Sequence, residues 1–458
     1  MSWRWLAGSL LPMLLGGCGT PAAPRSVSAS SASPDTPPQA AKPDELRWLD
    51  EPNAAFAQAQ REKRLVLVDL WAPWCHTCLS MQAEVLHARV VPELADLVLL
   101  QVDTERESNA QFLRKYPVAV WPTFYVIEPI SGEVRGRFLG GASPEQLGHF
   151  LRDARGNATG ALAQLRAGDA WAAQKRLDEA ESAYRAALAQ APADWKRRPD
   201  ALVALVSLLL KQKRYADCLE LADAEGAQLA PSVSAVDFAA SAATCAERLP
   251  EAANVGAVRQ KLAALLAANC ETAAPGASAD DRADACGNLR GVRSALGDGE
   301  GAKRAAERAL SAIAAASAGK PPQVQLIYDW ERTSSLTFLG RTEEAIALLR
   351  ERERQLPQSY NPSHYLARLY RDTHAWQLGL DAIERALSKA YGPRRAGFLG
   401  VKADLLIGAG RDQEAREVLE QQLGAYRALP EGQRSPDAEA AVEKRLAART
   451  NAAPPPPR

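Results

Sequence analysis

The chain lacks net charge: across 458 residues, 55 lysines and arginines are balanced by 55 aspartates and glutamates. That balance removes the electrostatic case for nucleic acid, which asks for a basic stripe or patch. Beyond its first residues the chain has no apolar run long enough to cross a membrane as a helix. It has no second Cys/His pair at ligand spacing after Cys75 and Cys78, so a structural zinc half-site there would be missing its other half. From about Ala161 onward it has no strand-like runs; the composition turns to Ala, Leu and Arg with helical periodicity. The length allows two or three domains.

What is present centres on Trp74-Cys75-His76-Thr77-Cys78. Leu65-Val66-Leu67-Val68-Asp69-Leu70 reads as a buried strand, apolar except for one carboxylate. Trp71 to Trp74 reads as a turn and Thr77 to Leu86 as a helix. A cysteine at a helix start meets unpaired amides and the positive end of the helix dipole, so Cys75 is expected to have a lowered pKa. Cys78, one turn in, is placed to resolve a mixed disulfide. His76 either tunes the thiolate or is a solvated helix-start residue. The register of Asp69 favours burial, which raises a carboxyl pKa towards neutrality.

These residues resemble the thioredoxin superfamily. Asp69, six residues before Cys75, matches the family's buried carboxylate that assists proton transfer at the second cysteine. Tyr116-Pro117-Val118-Ala119-Val120-Trp121-Pro122-Thr123-Phe124 matches the cis-proline segment, which implies a cis Pro122 facing the dithiol. Gly140-Gly141 followed by Ser143-Pro144-Glu145 is similar to the last strand, a turn and the C-terminal helix. The resemblance covers residues 46–156 and implies a central mixed sheet flanked by helices. Asp69-Leu70-Trp71-Ala72-Pro73-Trp74-Cys75 looks closest to periplasmic electron-passing domains, including the soluble C-terminal domain of the membrane thiol:disulfide interchange reductase. Two departures stand out. Leu99 occupies the place of the family's lysine near the buried Asp. The residues between the cysteines are His-Thr, and the histidine follows the first cysteine, whereas strong oxidants keep it before the second. Reductase or isomerase is therefore expected over oxidant, with Cys75, Cys78 and Asp69 catalytic and Trp74, His76 and Pro122 in support. The implied chemistry needs no cofactor and no metal. It implies disulfide-bearing periplasmic protein clients and a membrane or periplasmic thiol as electron donor.

Residues 1–17 have a charged start (Arg4), an apolar run from Trp5 to Leu15 and small residues before a cysteine, the pattern of a secretory signal. Leu15-Gly16-Gly17-Cys18 resembles the bacterial lipobox, which implies cleavage before Cys18 and its acylation, palmitate included; an ordinary signal cut nearby is the alternative. Acyl chains contribute about 0.8 kcal/mol per buried methylene, so several would hold the protein on a bilayer. Gly19 in place of aspartate implies the periplasmic face of the outer membrane over the inner membrane. Residues 18–45, dominated by Pro, Ala and Ser, read as a disordered tether, and 449–458 as a disordered tail.

Residues 160–448 repeat. Gly168…Trp171…Leu177-Asp178-Glu179-Ala180…Tyr184…Ala187…Pro192 places small residues where two helices cross and a large one in the gap, and resembles the tetratricopeptide repeat. Leu339 to Pro357 and Gly410 to Leu419 have the same form, with weaker copies about Cys218, Ala252, Ala302 and Gly379. The reading is about seven hairpins in an all-α solenoid. The resemblance implies a concave face that binds clients or partners; a spacer or dimerisation surface is the alternative. Trp330, Tyr360, Tyr365, Tyr370 and Trp376 are expected in the core.

Seven cysteines, less Cys18 and the dithiol, leave Cys218, Cys245, Cys270 and Cys286. An even remainder in an exported chain points to disulfides. Cys270 with Cys286 would staple an insertion between hairpins. Cys218 and Cys245 are either paired or small buried thiols. The rival to a lipid-anchored oxidoreductase is a non-enzymatic envelope scaffold whose dithiol is structural.

Overall fold

The computed structural model describes residues 46–118 and 120–450. The expected signal, Cys18, the expected tether and residues 451–458 lie outside them.

Two apolar runs seed the first layer. β2 (Val66–Trp71) and β3 (Val98–Asp103) are buried along nearly their whole length, as parallel strands covered on both faces must be. With β1 (Trp48–Leu49), β4 (Thr123–Ile127) and β5 (Val134–Leu139) they form one mixed sheet, ordered β1-β3-β2-β4-β5. β1 and β2 run parallel to β3; β4 is antiparallel to β2, and β5 to β4. Alternation sends Val66, Val68 and Leu70 to one face, against α1 (Pro52–Glu62) and α3 (Ala110–Lys115). Leu67, on the other face, packs with Met81, Val85 and the apolar side of α4 (Pro144–Arg155). α2 is shorter than the expected Thr77–Leu86 helix. It spans His76–Ser80, and Met81–Val85 widen into a π turn.

The change from strands to helices falls where the composition changes. α5 (Gly160–Ala173) and α6 (Leu177–Gln190) make the first hairpin. α7 (Arg198–Lys211) with α8 (Tyr215–Glu225), and α9 (Val233–Arg248) with α10 (Val255–Thr272), make the next two. α11 (Ala279–Ala295) pairs with α12 (Gly299–Ser317). After a short α13 (Pro322–Gln325), α14 (Asp329–Phe338) pairs with α15 (Thr342–Gln355) and α16 (Asn361–Asp372) with α17 (Trp376–Leu387). α18 (Gly392–Gly408) with α19 (Asp412–Ala428) completes seven hairpins, and α20 (Pro436–Thr450) closes the stack. At the first crossing, a Cβ on Gly168 would stand 2.5 Å from the Tyr184 ring, so only glycine admits that approach. Both pairs of array cysteines are disulfides: Cys218–Cys245 ties α8 to α9, and Cys270–Cys286 ties α10 to α11. Among the described residues no helix is long and apolar enough to cross a membrane.

The sheet domain and the array are one body: the described residues fall in a single compact unit. Arg137 of β5 donates its backbone N–H to Asp169 of α5 (2.9 Å) and a guanidinium N–H to the Tyr184 hydroxyl of α6 (2.9 Å); that hydroxyl donates to Asp169 (3.0 Å). All three side chains are buried. Leu139 of β5 packs into the array's own core. The first hairpin of the array thus contacts the sheet domain directly, through α5 and α6 at β5. Tyr360, Tyr365 and Tyr370 are core residues as expected, whereas Trp330 and Trp376 are only partly buried.

Candidate functional site

Cys75 is the N-cap of α2, and its Sγ accepts a hydrogen bond from the Cys78 N–H at 3.0 Å. A sulfur there receives the orphan amide of the first turn and the positive end of the dipole, an arrangement that stabilises a thiolate over a thiol. The structure holds Cys75 and Cys78 as a disulfide, S–S 2.02 Å. Ala72 is buried in one cluster with both cysteines, and Trp71, Trp74 and Trp121 pack against it. Trp121–Pro122 is a cis peptide bond. The Trp121 ring lies 5.0 Å from Trp74, so this segment and the dithiol turn are in contact through their tryptophans.

Asp69 shares the sheet face of Leu67, beneath α2 and the π turn. Its Oδ2 accepts from Gln82 Nε2 (3.2 Å), while Oδ1 is buried without a hydrogen-bond partner. Burial outweighs the hydrogen bonds from Gln82 and Gln101 and pushes its carboxyl up to about 7, where it takes and gives protons near neutrality. Gln101 stands beside Asp69 in the β2–β3 register, and Leu99 two residues earlier pairs with Leu67 in the core. The residues around the carboxylate are thus two amides, Gln82 and Gln101, neither of which the sequence reading named.

The array completes the site. His76 is no solvated helix-start residue: its Nδ1 lies 3.2 Å from both carboxylate oxygens of Asp280, and Nε2 lies 3.7 Å from Asp284, both on α11. Burial alone would pull its imidazole down, but the carboxylates of Asp284 and Asp280 outweigh it and raise it to about 10. The ring is therefore an imidazolium at neutral pH. Around it, burial and repulsion between carboxylates push Asp281 up to about 7 and Asp284 and Asp237 above their ordinary range. Nitrogen and oxygen atoms of His76, Asp280 and Asp284 lie within 4.8 Å of one another. That is close enough for a cation, but each ring nitrogen already faces a carboxylate, the geometry of a charge clamp. On the other side, Asn361 donates to the Pro73 carbonyl (2.8 Å). Trp74 Nε1 donates to Glu105 (2.9 Å), which also accepts from the Arg394 backbone N–H (2.6 Å). Tyr391 donates to Asp103 (2.6 Å). With array helices on both sides, Cys75 keeps 4% of its surface exposed and Cys78 1%. Contacts between residues some 200 to 290 positions apart carry no local signal, so the sequence reading missed Asp280, Asp284, Glu105, Asn361 and Arg394.

Fold and site together define a dithiol domain of the thioredoxin type built into a helical-repeat array. Residues 47–129 match the family model described as thioredoxin-like, and this part of the chain is a thioredoxin-like domain. No curated protein matches the sequence. Among solved structures, a tetratricopeptide repeat protein from Parabacteroides merdae is similar over 64% of this chain and 99% of its own, at 12% identity and a TM-score of 0.42. BtubC from P. vanneervenii is similar over 57% of this chain and 95% of its own, at 15% identity and a TM-score of 0.29.

Proposed function

We propose that the protein is a thiol:disulfide oxidoreductase acting through Cys75 and Cys78. The observation that carries this reading is the Cys75 sulfur at a helix N-cap with a buried carboxyl of pKa about 7 under the same helix. In the reducing direction, the Cys75 thiolate attacks one sulfur of a client disulfide, forms a mixed disulfide and expels the first client thiolate. Cys78, giving its proton to Asp69, then attacks Cys75 and expels the second. Two electrons pass to the client, and the Cys75–Cys78 disulfide is restored. A thiol donor must reduce it for the next turnover. Cys75→Ser should abolish reduction of a model disulfide, and Cys78→Ser should trap mixed disulfides. The reverse outcome would exchange the two roles, and two inert variants would end the enzymatic reading.

Leu15-Gly16-Gly17-Cys18 supports a lipid anchor at Cys18 on the periplasmic face of the outer membrane. Mass spectrometry of the mature N-terminus should find an acylated Cys18; an unmodified terminus elsewhere removes the anchor. The near-complete burial of Cys75 supports a second reading, a scaffold whose disulfide is structural. The reduction potential separates the two, because structural disulfides lie below about −300 mV and exchange catalysts above it.

A further inference from the structure

Among the described residues, the guanidinium groups of Arg368 and Arg394 have no carboxylate within ion-pairing distance. Arg368 of α16 lies over the Trp330 ring, 4.8 Å from its centroid, in a cavity of about 300 Å³ lined also by Arg290, Ser334, Phe338 and Tyr365. Asp372 also lines the cavity and is held by Arg371, and Arg290 is engaged by Glu331. Phe338, at the same cavity, is 42% exposed. Arg394 of α18 lies over Trp74, 4.1 Å from its centroid, and its buried Nε has no hydrogen-bond partner. The Glu105 carboxylate beside it accepts from the Trp74 indole and the Arg394 backbone and lies outside ion-pairing distance of the guanidinium, acting on it only as a neighbouring charge. Packed rings connect the two positions: Trp330 to Tyr365 (5.4 Å), Tyr365 to His364 (5.7 Å), His364 to Phe398 (4.4 Å), with Arg394 5.8 Å from Phe398. These rings fix the spacing of the cations, and Trp74 is next to Cys75 in the chain.

A partly buried cation that no carboxylate pairs with directly gains when a ligand supplies one. Arginines over aromatic rings are preorganised to take carboxylates while the rings take an apolar side chain. We propose that the face of α14, α16 and α18 binds an acidic peptide segment of the client, with an aromatic side chain at Trp330 and Phe338 and carboxylates at Arg368 and Arg394. The enclosure of Cys75 fits such a partner, since an extended segment is narrower than a folded surface. The proposal deepens the oxidoreductase reading and rests on it for the word client; its test does not require turnover.

The probe is a fluorescein-labelled short peptide with aspartates, glutamates and one phenylalanine, with a control carrying Asn and Gln in place of the acids. Anisotropy is read on the oxidised full-length protein. The acidic peptide should bind, and the control should bind about tenfold more weakly, the equivalent of about 1.4 kcal/mol. Arg368→Gln and Arg368→Glu should weaken the acidic peptide by about tenfold or more while leaving reduction of a small neutral disulfide unchanged. Thermal melts establish that both variants are folded. Equal binding of the two peptides, or parental affinity in both folded variants, overturns the proposal. Full displacement of the peptide by a small dicarboxylate at equal concentration also overturns it, because the site would then be one for small anions. Peptide binding with inert cysteines would overturn the oxidoreductase reading and leave the site standing.

Discussion

Asp69 is a carboxyl group under conflicting demands. It sits at 1% exposure with one oxygen unpartnered, so ionisation in the folded state is opposed by burial. The unfolded chain releases this proton near its ordinary value of 3.8 and the folded chain near 7. Between those values the folded state binds more protons, so its stability falls as pH rises and then levels off. The difference corresponds to about 4 kcal/mol as an upper bound. Asp69→Asn should therefore gain stability over the parent as pH moves from 4 to 8, while losing rate in disulfide exchange. Denaturant melts of the oxidised proteins at both pH values test this. A pH-independent difference would mean that Asp69 ionises freely in the fold. His76 has linkage of the same sign at higher pH. Its raised value makes the imidazolium contact with Asp280 a stabilising one that is lost as pH rises through about 10.

At the scale of elements, the array depends on close helix crossings. Gly168 on α5 meets Tyr184 on α6, Gly379 on α17 meets Leu405, and Gly408 on α18 meets Trp376. In each case an added Cβ would stand within 2.5 Å of the partner. Helix propensity alone would make Gly168→Ala stabilising by about 1 kcal/mol. The clash outweighs it, because the Tyr184 ring is pinned by Asp169 and Arg137 and cannot swing aside. Overpacking costs about 1 to 3 kcal/mol. Gly168→Ala should therefore lower the melting temperature, and a rise would show that the crossing has slack. The two array disulfides fasten neighbouring helices at the middle of the stack, where the connection between α10 and α11 would otherwise be free to open.

For the whole molecule, the consequence is that the dithiol domain is not a detachable module. Leu139 is part of the array's core, Trp74 packs with the cluster of α14 to α19, and Arg137 bonds to α5 and α6. A fragment ending at residue 159 would expose all three. It should lose cooperative thermal unfolding or melt well below the full-length protein. A fragment with an unchanged melt and unchanged reduction potential would mean that the array merely rests on the domain.

Local order wrote much of this protein into its sequence. An apolar run with one carboxylate gives β2 and Asp69, a cysteine before a helical pattern gives the N-cap at Cys75, and small residues at fixed offsets give the hairpins. Each of these depends on neighbours a few positions apart, where propensity, capping and periodicity act. The π turn after Ser80 escaped that reading, since packing of Met81 and Val85 decides it. Only the tertiary structure brought Asp280 and Asp284 to His76, Glu105 and Arg394 to Trp74, and Asn361 to Pro73. Those pairs are separated by hundreds of residues or by the turn of a solenoid, and no short-range pattern encodes how a stack of hairpins curves. The residue types around Cys75 are therefore legible in the sequence, whereas its enclosure and the charge on its neighbouring histidine follow from where the array comes to rest.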